Sequence, residues 1–176
     1  MMICGLDALH KNGILYWDLK FENIMLTQFG HIKLIDFGLS RFLEKEELAY
    51  SWCGTLGYVA PEVILQVGHN FSADIWSLGT ILCEMLGGFS PFYNDDPQKM
   101  YDNTIKGKIK WPTNLNIIAK HLISLILVVD GNMRPAISEI KEHLFFDKVD
   151  WKKCAKGDIK TSFIPEFKDF IKNFSL

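Results

Sequence analysis

Three short polar motifs in the first 62 residues constrain this chain more than any other feature of its sequence. They read DLKFEN at residues 18–23, DFG at residues 36–38 and APE at residues 60–62. Each motif alone is a weak signal, because short sequences rich in turn-forming residues recur by chance. Their joint occurrence, in this order and at this spacing, indicates that they belong to one site.

The local patterns around the motifs predict one helix and one β-hairpin. Residues 1–10 place apolar side chains on a single helical face, and Lys11-Asn12-Gly13 then stops the helix. Residues 14–16 read as a short extended approach to the first motif. Residues 24–26 and 31–35 read as two short strands joined by a turn at Gln28-Phe29-Gly30.

The rest of the chain is predicted to be mainly helical. Residues 39–59 are polar and irregular. Ser72-Ala73-Asp74 can cap a buried helix that Gly87-Gly88 terminates. Helices are predicted at residues 72–86, 97–106, 115–128 and 135–143. From residue 147 onward, aromatic and lysine residues without periodicity predict an extended tail that wraps a surface.

Composition narrows the class of protein. The 176 residues suffice for one domain with a substantial core, and 48% of them are hydrophobic. A net charge of −2 argues against a nucleic-acid binder. The longest apolar runs, such as residues 122–129, are too short to span a bilayer, so no membrane segment is expected.

The cysteines indicate a reducing compartment. Cys4, Cys53, Cys83 and Cys154 form no CxxC pair and no zinc-ligand spacing. Scattered thiols of this kind suit the cell interior, so we expect an intracellular, cytoplasmic protein.

The first two motifs carry the groups that phosphoryl transfer requires. That reaction needs an aligned hydroxyl, Mg²⁺ on the phosphates and positive charge near the transferred group. Asp18 is expected to accept the proton of a substrate hydroxyl, and Lys20 to stabilise the transferring phosphate. The amide oxygen of Asn23 and the carboxylate of Asp36 are expected to bind Mg²⁺, which prefers hard oxygen ligands.

These motifs and their surroundings resemble the C-terminal lobe of a eukaryotic protein kinase. The resemblance rests on GHIKLIDFGLSRF, WCGTLGYVAPEV and FSADIWSLGTILCEMLGG. Lys20 points to the serine/threonine type. The resemblance implies a protein-kinase-like α+β fold, of which this chain is the mainly helical C-terminal lobe. It divides the chain into residues 1–146, the lobe, and residues 147–176, a partial C-terminal tail.

The resemblance also implies roles at the site. ATP and Mg²⁺ would be the cofactors, and a protein hydroxyl would be the acceptor. Thr55 resembles the threonine that hydrogen-bonds the catalytic Asp and Lys. Met25 corresponds to the apolar residue beneath the adenine ring. Phe37 would pack beneath Asp36, and Gly38 would permit an unusual backbone turn.

Further residues match supporting positions of the lobe. Glu62 and Arg134 match an ion pair that closes it. Asp74 matches the carboxylate of a central helix that holds the catalytic-loop backbone, and His10 lies where the family places a histidine partner for that Asp.

Several features resemble the AGC group of kinases. They are Tyr16, Cys53-Gly54-Thr55 and Val149-Asp150-Trp151, followed by the tail sequences Phe163-Ile164-Pro165 and Asn173-Phe174. Phe174 would reach the ATP site. Glu22 and Glu84 match acidic positions that bind substrate arginine, so a basic peptide around the acceptor is expected.

Trp17 departs from the family, which usually has an arginine here that pairs with a phosphate on the activation loop. Tryptophan cannot replace a charge-assisted donor. Ser51 sits where the AGC group carries its activating phosphate. We hypothesise that an upstream kinase phosphorylates Ser51 and that the phosphate pairs with Arg41. An unmodified serine is the alternative.

The sequence contains no glycine-rich phosphate loop and no strand lysine before the first motif. Half of an ATP cleft is therefore expected to be missing, with an apolar surface exposed in its place. Two interpretations follow. The chain belongs to a serine/threonine kinase that transfers the γ-phosphate of ATP, or it is a non-catalytic truncated kinase or pseudokinase that acts as a protein-interaction module.

Overall fold

The structure, a computed structural model, describes residues 1–166 of the chain. The expected mainly helical fold with a hairpin beside the first motif is confirmed. The helices are α1 (Met2–Lys11), α2 (Pro61–Ile64), α3 (Ser72–Gly87), α4 (Pro97–Ile105), α5 (Ile117–Ile126), α6 (Ile137–Glu142) and α7 (Trp151–Lys156). The strands are β1 (Ile14–Leu15), β2 (Ile24–Leu26), β3 (Ile32–Leu34) and β4 (Arg41–Phe42).

Helix α3 is the centre of the hydrophobic core. Residues 73–83 are all buried, as expected for a helix that is apolar on nearly every side. Gly79 allows α5 to approach closely, because a Cβ at this position would overlap Ile126 and lie 2.8 Å from Leu127. Gly88, at φ 77°, ends the helix in the left-handed conformation that glycine adopts without steric cost.

The other helices pack around α3 and bury the remaining apolar faces. Helix α5 lies directly against it. On another side the Trp76 ring stacks on Phe92 at 5.1 Å, with 9° between the planes. Helices α1 and α6 contact each other and complete the core through Leu6 and Ile140, which are at most 1% exposed. This packing makes α3 a rigid platform for the loops that precede it.

Two small antiparallel sheets carry the motif loops. Strands β2 and β3 pair Ile24 with Leu34 and Leu26 with Ile32. Strands β1 and β4 pair Leu15 with Arg41. The second sheet was not predicted, because β4 lies in a segment whose local sequence is irregular and its partner is distant in the chain.

Four of the predicted helices have nearly the predicted bounds, differing by at most two residues at an end: α3, α4, α5 and α6. The prediction of an extended tail from residue 147 was wrong for Trp151–Lys156, which form α7. The Asp150 carboxylate caps this helix by accepting from Lys152 N and Lys153 N at 3.1 and 3.0 Å. A six-residue helix is too short to show a period.

After α7 the chain crosses the β2–β3 hairpin. Thr161 Oγ1 donates to the carbonyl of Phe29 at 2.8 Å. Gly30, at φ 76°, lies directly beneath this crossing, and a Cβ there would overlap the carbonyl of Phe163. The hairpin turn therefore holds residues 158–166 in place.

Within residues 1–166, no helix is both long enough and apolar enough to cross a membrane.

We expect Gly30→Ala to release residues 158–166 from the hairpin. The added methyl group would collide with the backbone of Phe163 and also strain a positive φ. Hydrogen exchange should then become faster in residues 158–166 and stay unchanged in α3. Gly88→Ala is the matched control, because its φ is also positive but no atom lies within 4 Å of the added Cβ. Equal loosening of the tail in both variants would contradict this account.

Candidate active site

Asp18, Lys20 and Thr55 form a closed hydrogen-bond network. Lys20 Nζ donates to Asp18 Oδ2 at 2.7 Å and to Thr55 Oγ1 at 3.0 Å. The Thr55 hydroxyl in turn donates to Asp18 Oδ1 at 2.9 Å. The network joins two chain segments 37 residues apart, so Thr55 ties the segment before the third motif to the first motif.

Asn23 extends this network on its other side. Its Nδ2 group donates to the Asp18 carbonyl at 2.8 Å and to Asp18 Oδ2 at 3.1 Å. Both Asp18 and Asn23 are at least nine-tenths buried. Because Nδ2 is directed at Asp18, Asn23 Oδ1 points elsewhere and remains available as an oxygen ligand.

Asp18 is ionised at neutral pH. Burial by itself would raise the pKa of this carboxyl group, but hydrogen bonds from Lys20 and Thr55 and the positive charge of Lys20 outweigh it. The pKa of Asp18 is therefore below its ordinary value. A carboxylate in this state can accept a hydrogen bond from a hydroxyl group.

Asp36 lies beside Asn23 because of the hairpin register. The β2–β3 ladder continues through Ile35, whose N–H donates to the carbonyl of Asn23 at 3.0 Å. The next residue, Asp36, adopts φ 58° and its Oδ1 accepts from Gly38 N at 3.1 Å. Gly38 thus closes a tight turn that fixes the Asp36 carboxylate.

The donor set fits Mg²⁺. Asn23 Oδ1 and the carboxylate of the exposed Asp36 are hard oxygen donors on adjoining backbone positions. Mg²⁺ is commonly held by one or two such protein ligands, with water and phosphate oxygens completing the octahedron.

The Asp74 carboxylate holds the backbone directly before Asp18. Asp74 Oδ1 accepts from Trp17 N at 2.8 Å, and Oδ2 accepts from Tyr16 N at 2.9 Å. His10 Nε2 also lies 2.8 Å from Asp74 Oδ2. Asp74 is 1% exposed and belongs to the first turn of α3, so it connects the loop of the first motif to the core.

Glu62 and Arg134 form a bidentate ion pair. The Arg134 Nη1 and Nη2 atoms lie 2.6 and 2.7 Å from the two Glu62 oxygens. Arg134 also donates to the Ser72 and Val128 carbonyls at 2.8 Å, and its guanidinium group lies 4.9 Å from the Trp76 ring centre. The pair joins the third motif to the start of α3.

Phe37 and Met25 are exposed apolar residues near the motifs. Phe37 contacts the Tyr16 ring edge-on at 5.3 Å and is 50% exposed, so it is not fully packed beneath Asp36. Met25 is 51% exposed on β2. Leu26 and Ile35 are also exposed, at 39% and 38%, and Leu26 points to the face of the hairpin opposite to that of Met25.

Tyr58 holds Glu84, one of the two acidic residues expected to bind substrate. Its hydroxyl donates to Glu84 Oε2 at 3.0 Å. Burial, followed by the hydrogen bond to Glu84 and the negative charge of Glu22, raises the pKa of Tyr58. Sequence reasoning missed Tyr58, although its position between Thr55 and the third motif was a usable signal.

Ser51 and Arg41 are not in contact in this structure. The Arg41 guanidinium instead pairs with Glu47 at 3.1 Å, and Ser51 is exposed. Phe174 lies outside the residues that the structure describes.

Sequence comparison identifies the family. The profile described as "Protein kinase domain" matches residues 1–146. The chain belongs to the protein kinase family. The human cAMP-dependent protein kinase catalytic subunit PRKX is 41% identical over 170 residues, covering 94% of this chain and 47% of that protein.

Two further relatives point to the same group. The serine/threonine-protein kinase sck2 of Schizosaccharomyces pombe is 44% identical, covering 93% of this chain and 26% of that protein. Human ribosomal protein S6 kinase alpha-6 is 43% identical, and the match covers 92% of this chain and 22% of that protein. This kinase chain is therefore AGC-like, and it spans about half or less of the length of these relatives.

We expect Glu62→Gln to destabilise this kinase lobe strongly. The substitution leaves the buried Arg134 charge without its partner, which typically costs about 3–5 kcal/mol. Urea unfolding would measure the loss. The control is Glu47→Gln, which breaks the exposed pair with Arg41 and should cost about 1 kcal/mol or less. Similar losses in the two variants would show that the Glu62–Arg134 pair does not hold the third motif.

Proposed function

We propose that this chain supplies the catalytic loop and metal-binding residues of a serine/threonine protein kinase, which transfers the γ-phosphate of ATP to protein hydroxyl groups. The observation that carries the proposal is the closed Asp18–Lys20–Thr55 network with Asn23 beside it. It combines a proton acceptor, a cation and an oxygen ligand in one buried loop. The serine/threonine kinases among its relatives support the same chemistry.

Asp18 orients the substrate hydroxyl and accepts its proton. Lys20 has three N–H donors, of which two are used on Asp18 and Thr55, and the third would donate to a phosphoryl oxygen of bound ATP. Thr55 fixes both side chains and so limits their reorganisation during the reaction. Positioning and electrostatic stabilisation of this kind supply most of the catalysis in phosphoryl transfer.

Asn23 Oδ1 and Asp36 hold Mg²⁺ in this proposal. The ion neutralises phosphate charge when it is bound with ATP. Met25, which is exposed on β2, would contact the adenine ring.

Glu22 and Glu84 bind a basic substrate peptide, with Tyr58 holding the Glu84 carboxylate in place. An upstream kinase phosphorylates Ser51, and the phosphate competes with Glu47 for Arg41.

The second candidate function is a non-catalytic interaction module. The exposed apolar side chains of Met25, Ile35 and Phe37 near the motifs favour it, since exposed apolar groups commonly bind other proteins. This candidate requires neither nucleotide nor metal.

Binding of ATP to the isolated chain separates the two candidates. We expect calorimetry to detect ATP binding that depends on Mg²⁺ and weakens about tenfold or more in Asp36→Asn, because a charged ligand is lost. Asp102→Asn, which removes an exposed carboxylate on α4, is the control and should bind as the original chain does. Absence of Mg²⁺-dependent binding would favour the interaction module.

Catalysis is tested in the complete protein that contains this chain. Asp18→Asn should lower kcat for phosphorylation of an arginine-containing peptide by about 10²–10⁴-fold, the usual contribution of a positioned proton acceptor. KM for ATP should change little. An unchanged kcat would remove Asp18 from the mechanism.

A further inference from the structure

A second, smaller hydrophobic cluster lies between the first motif and the segment that precedes Thr55. Its buried members are Leu15, Trp17, Leu43 and Ala49, at 0%, 9%, 3% and 0% exposure. Cys53 and Phe71 pack against them. We call this group the Trp17 cluster. It is separate from the main core around α3, and the largest side chain in it is one residue from Asp18.

His69 connects the cluster to the start of α3. Its ring lies 4.6 Å from the Trp17 ring, and it is 2% exposed. Its backbone makes a reciprocal β-bridge with Ala49, with N···O distances of 2.9 and 3.0 Å. The segment is thus tied to the lobe by two backbone hydrogen bonds as well as by apolar contact.

No charged group takes part in the contact between the Trp17 and His69 rings. In the part of the chain that the structure describes, Trp17 Nε1 and both His69 ring nitrogens are buried without hydrogen-bond partners. Burial also lowers the pKa of His69, so the ring is neutral at physiological pH. Arg41 is paired with Glu47, and Ser51 is exposed two residues before Cys53. The Trp17 cluster therefore docks the segment by apolar contact, beside the backbone hydrogen bonds between Ala49 and His69 and without an ion pair to Arg41 or a phosphate.

The backbone of Trp17 is strained, and the docking of its ring helps to hold it in that conformation. Trp17 adopts φ 74°, a conformation that costs free energy for a residue with a side chain. Two contacts hold it there: the hydrogen bond from its N–H to Asp74 and the burial of its ring. Since Asp18 follows directly, the placement of the Trp17 ring affects the placement of the Asp18 carboxylate.

We propose that Trp17 is a positioning residue that keeps residues 43–55 docked on the catalytic loop by apolar contact, without any phosphate on that segment. Asp18 and Thr55 then stay assembled in the unmodified chain. The consequence for phosphoryl transfer rests on the proposed function, whereas the docking itself does not. Phosphorylation of Ser51 would add charge at the rim of a segment that is already ordered.

Hydrogen exchange on the chain, with and without phosphoserine at position 51, tests the proposal. In the unmodified chain, residues 43–55 should be protected and phosphoserine should add little. Trp17→Arg should expose these residues to exchange about tenfold faster or more, because a cation cannot occupy the apolar cluster. Phosphoserine 51 should restore protection in that variant, since it gives the new arginine a partner.

Two further variants separate docking from general stability. Trp17→Phe keeps an aromatic ring and should remain protected. Trp52→Arg, at a tryptophan of the same segment that is 53% exposed, should exchange as the original chain does. Protection of α3 and α5 must persist in every variant, which shows that the lobe stays folded.

Two results would overturn the proposal. One is rapid exchange of residues 43–55 in the unphosphorylated original chain while α3 stays protected. The other is equal gain of protection from phosphoserine 51 in the original chain and in Trp17→Arg. Neither readout requires ATP binding, so loss of Mg²⁺-dependent binding would remove the proposed function and leave the docking result intact.

Discussion

The site depends on one buried carboxylate. Asp74 accepts hydrogen bonds from the backbone N–H groups of Tyr16 and Trp17 and also contacts His10. A carboxylate with three donors is stable in a low-dielectric interior, whereas an unsatisfied one would be costly. Because Asp74 belongs to α3, the helix at the centre of the core, the loop of the first motif is held rigidly against the core. Removing this contact would free both the loop and the strained backbone of Trp17.

Two other contacts complete the site around Asp18. The β2–β3 register brings Asp36 next to Asn23 through the hydrogen bond of Ile35. The Thr55 hydroxyl joins a distant segment to Asp18 and Lys20. Each contact links residues that are well separated in sequence, so the site exists only in the folded lobe. This explains why a short loop can hold a cation, a carboxylate and an amide at hydrogen-bond distance from one another.

Local sequence patterns predicted the parts of the fold that local forces determine. The bounds of α3 followed from its apolar composition and Gly88, and the hairpin followed from its alternation and turn. Helix α7 was missed because its cap and terminal glycine enclose too few residues to show a period. Three other features join residues that are distant in the chain, so no local sequence pattern predicts them. They are the β1–β4 pairing, the Tyr58–Glu84 contact and the Trp17 cluster. The motif residues themselves were found because their chemistry restricts the residue types.

We propose that Asn23 and Asp36, brought together by the β2–β3 register next to the loop that Asp74 anchors, form a metal–nucleotide site on this lobe. Paramagnetic broadening of amide NMR signals by Mn²⁺ with ATP measures this directly, because the effect falls steeply with distance from the ion. We expect broadening centred on residues 18–23 and 36–38, with α5 unaffected. Broadening centred on surface carboxylates such as Asp102, or spread evenly over the chain, would contradict it.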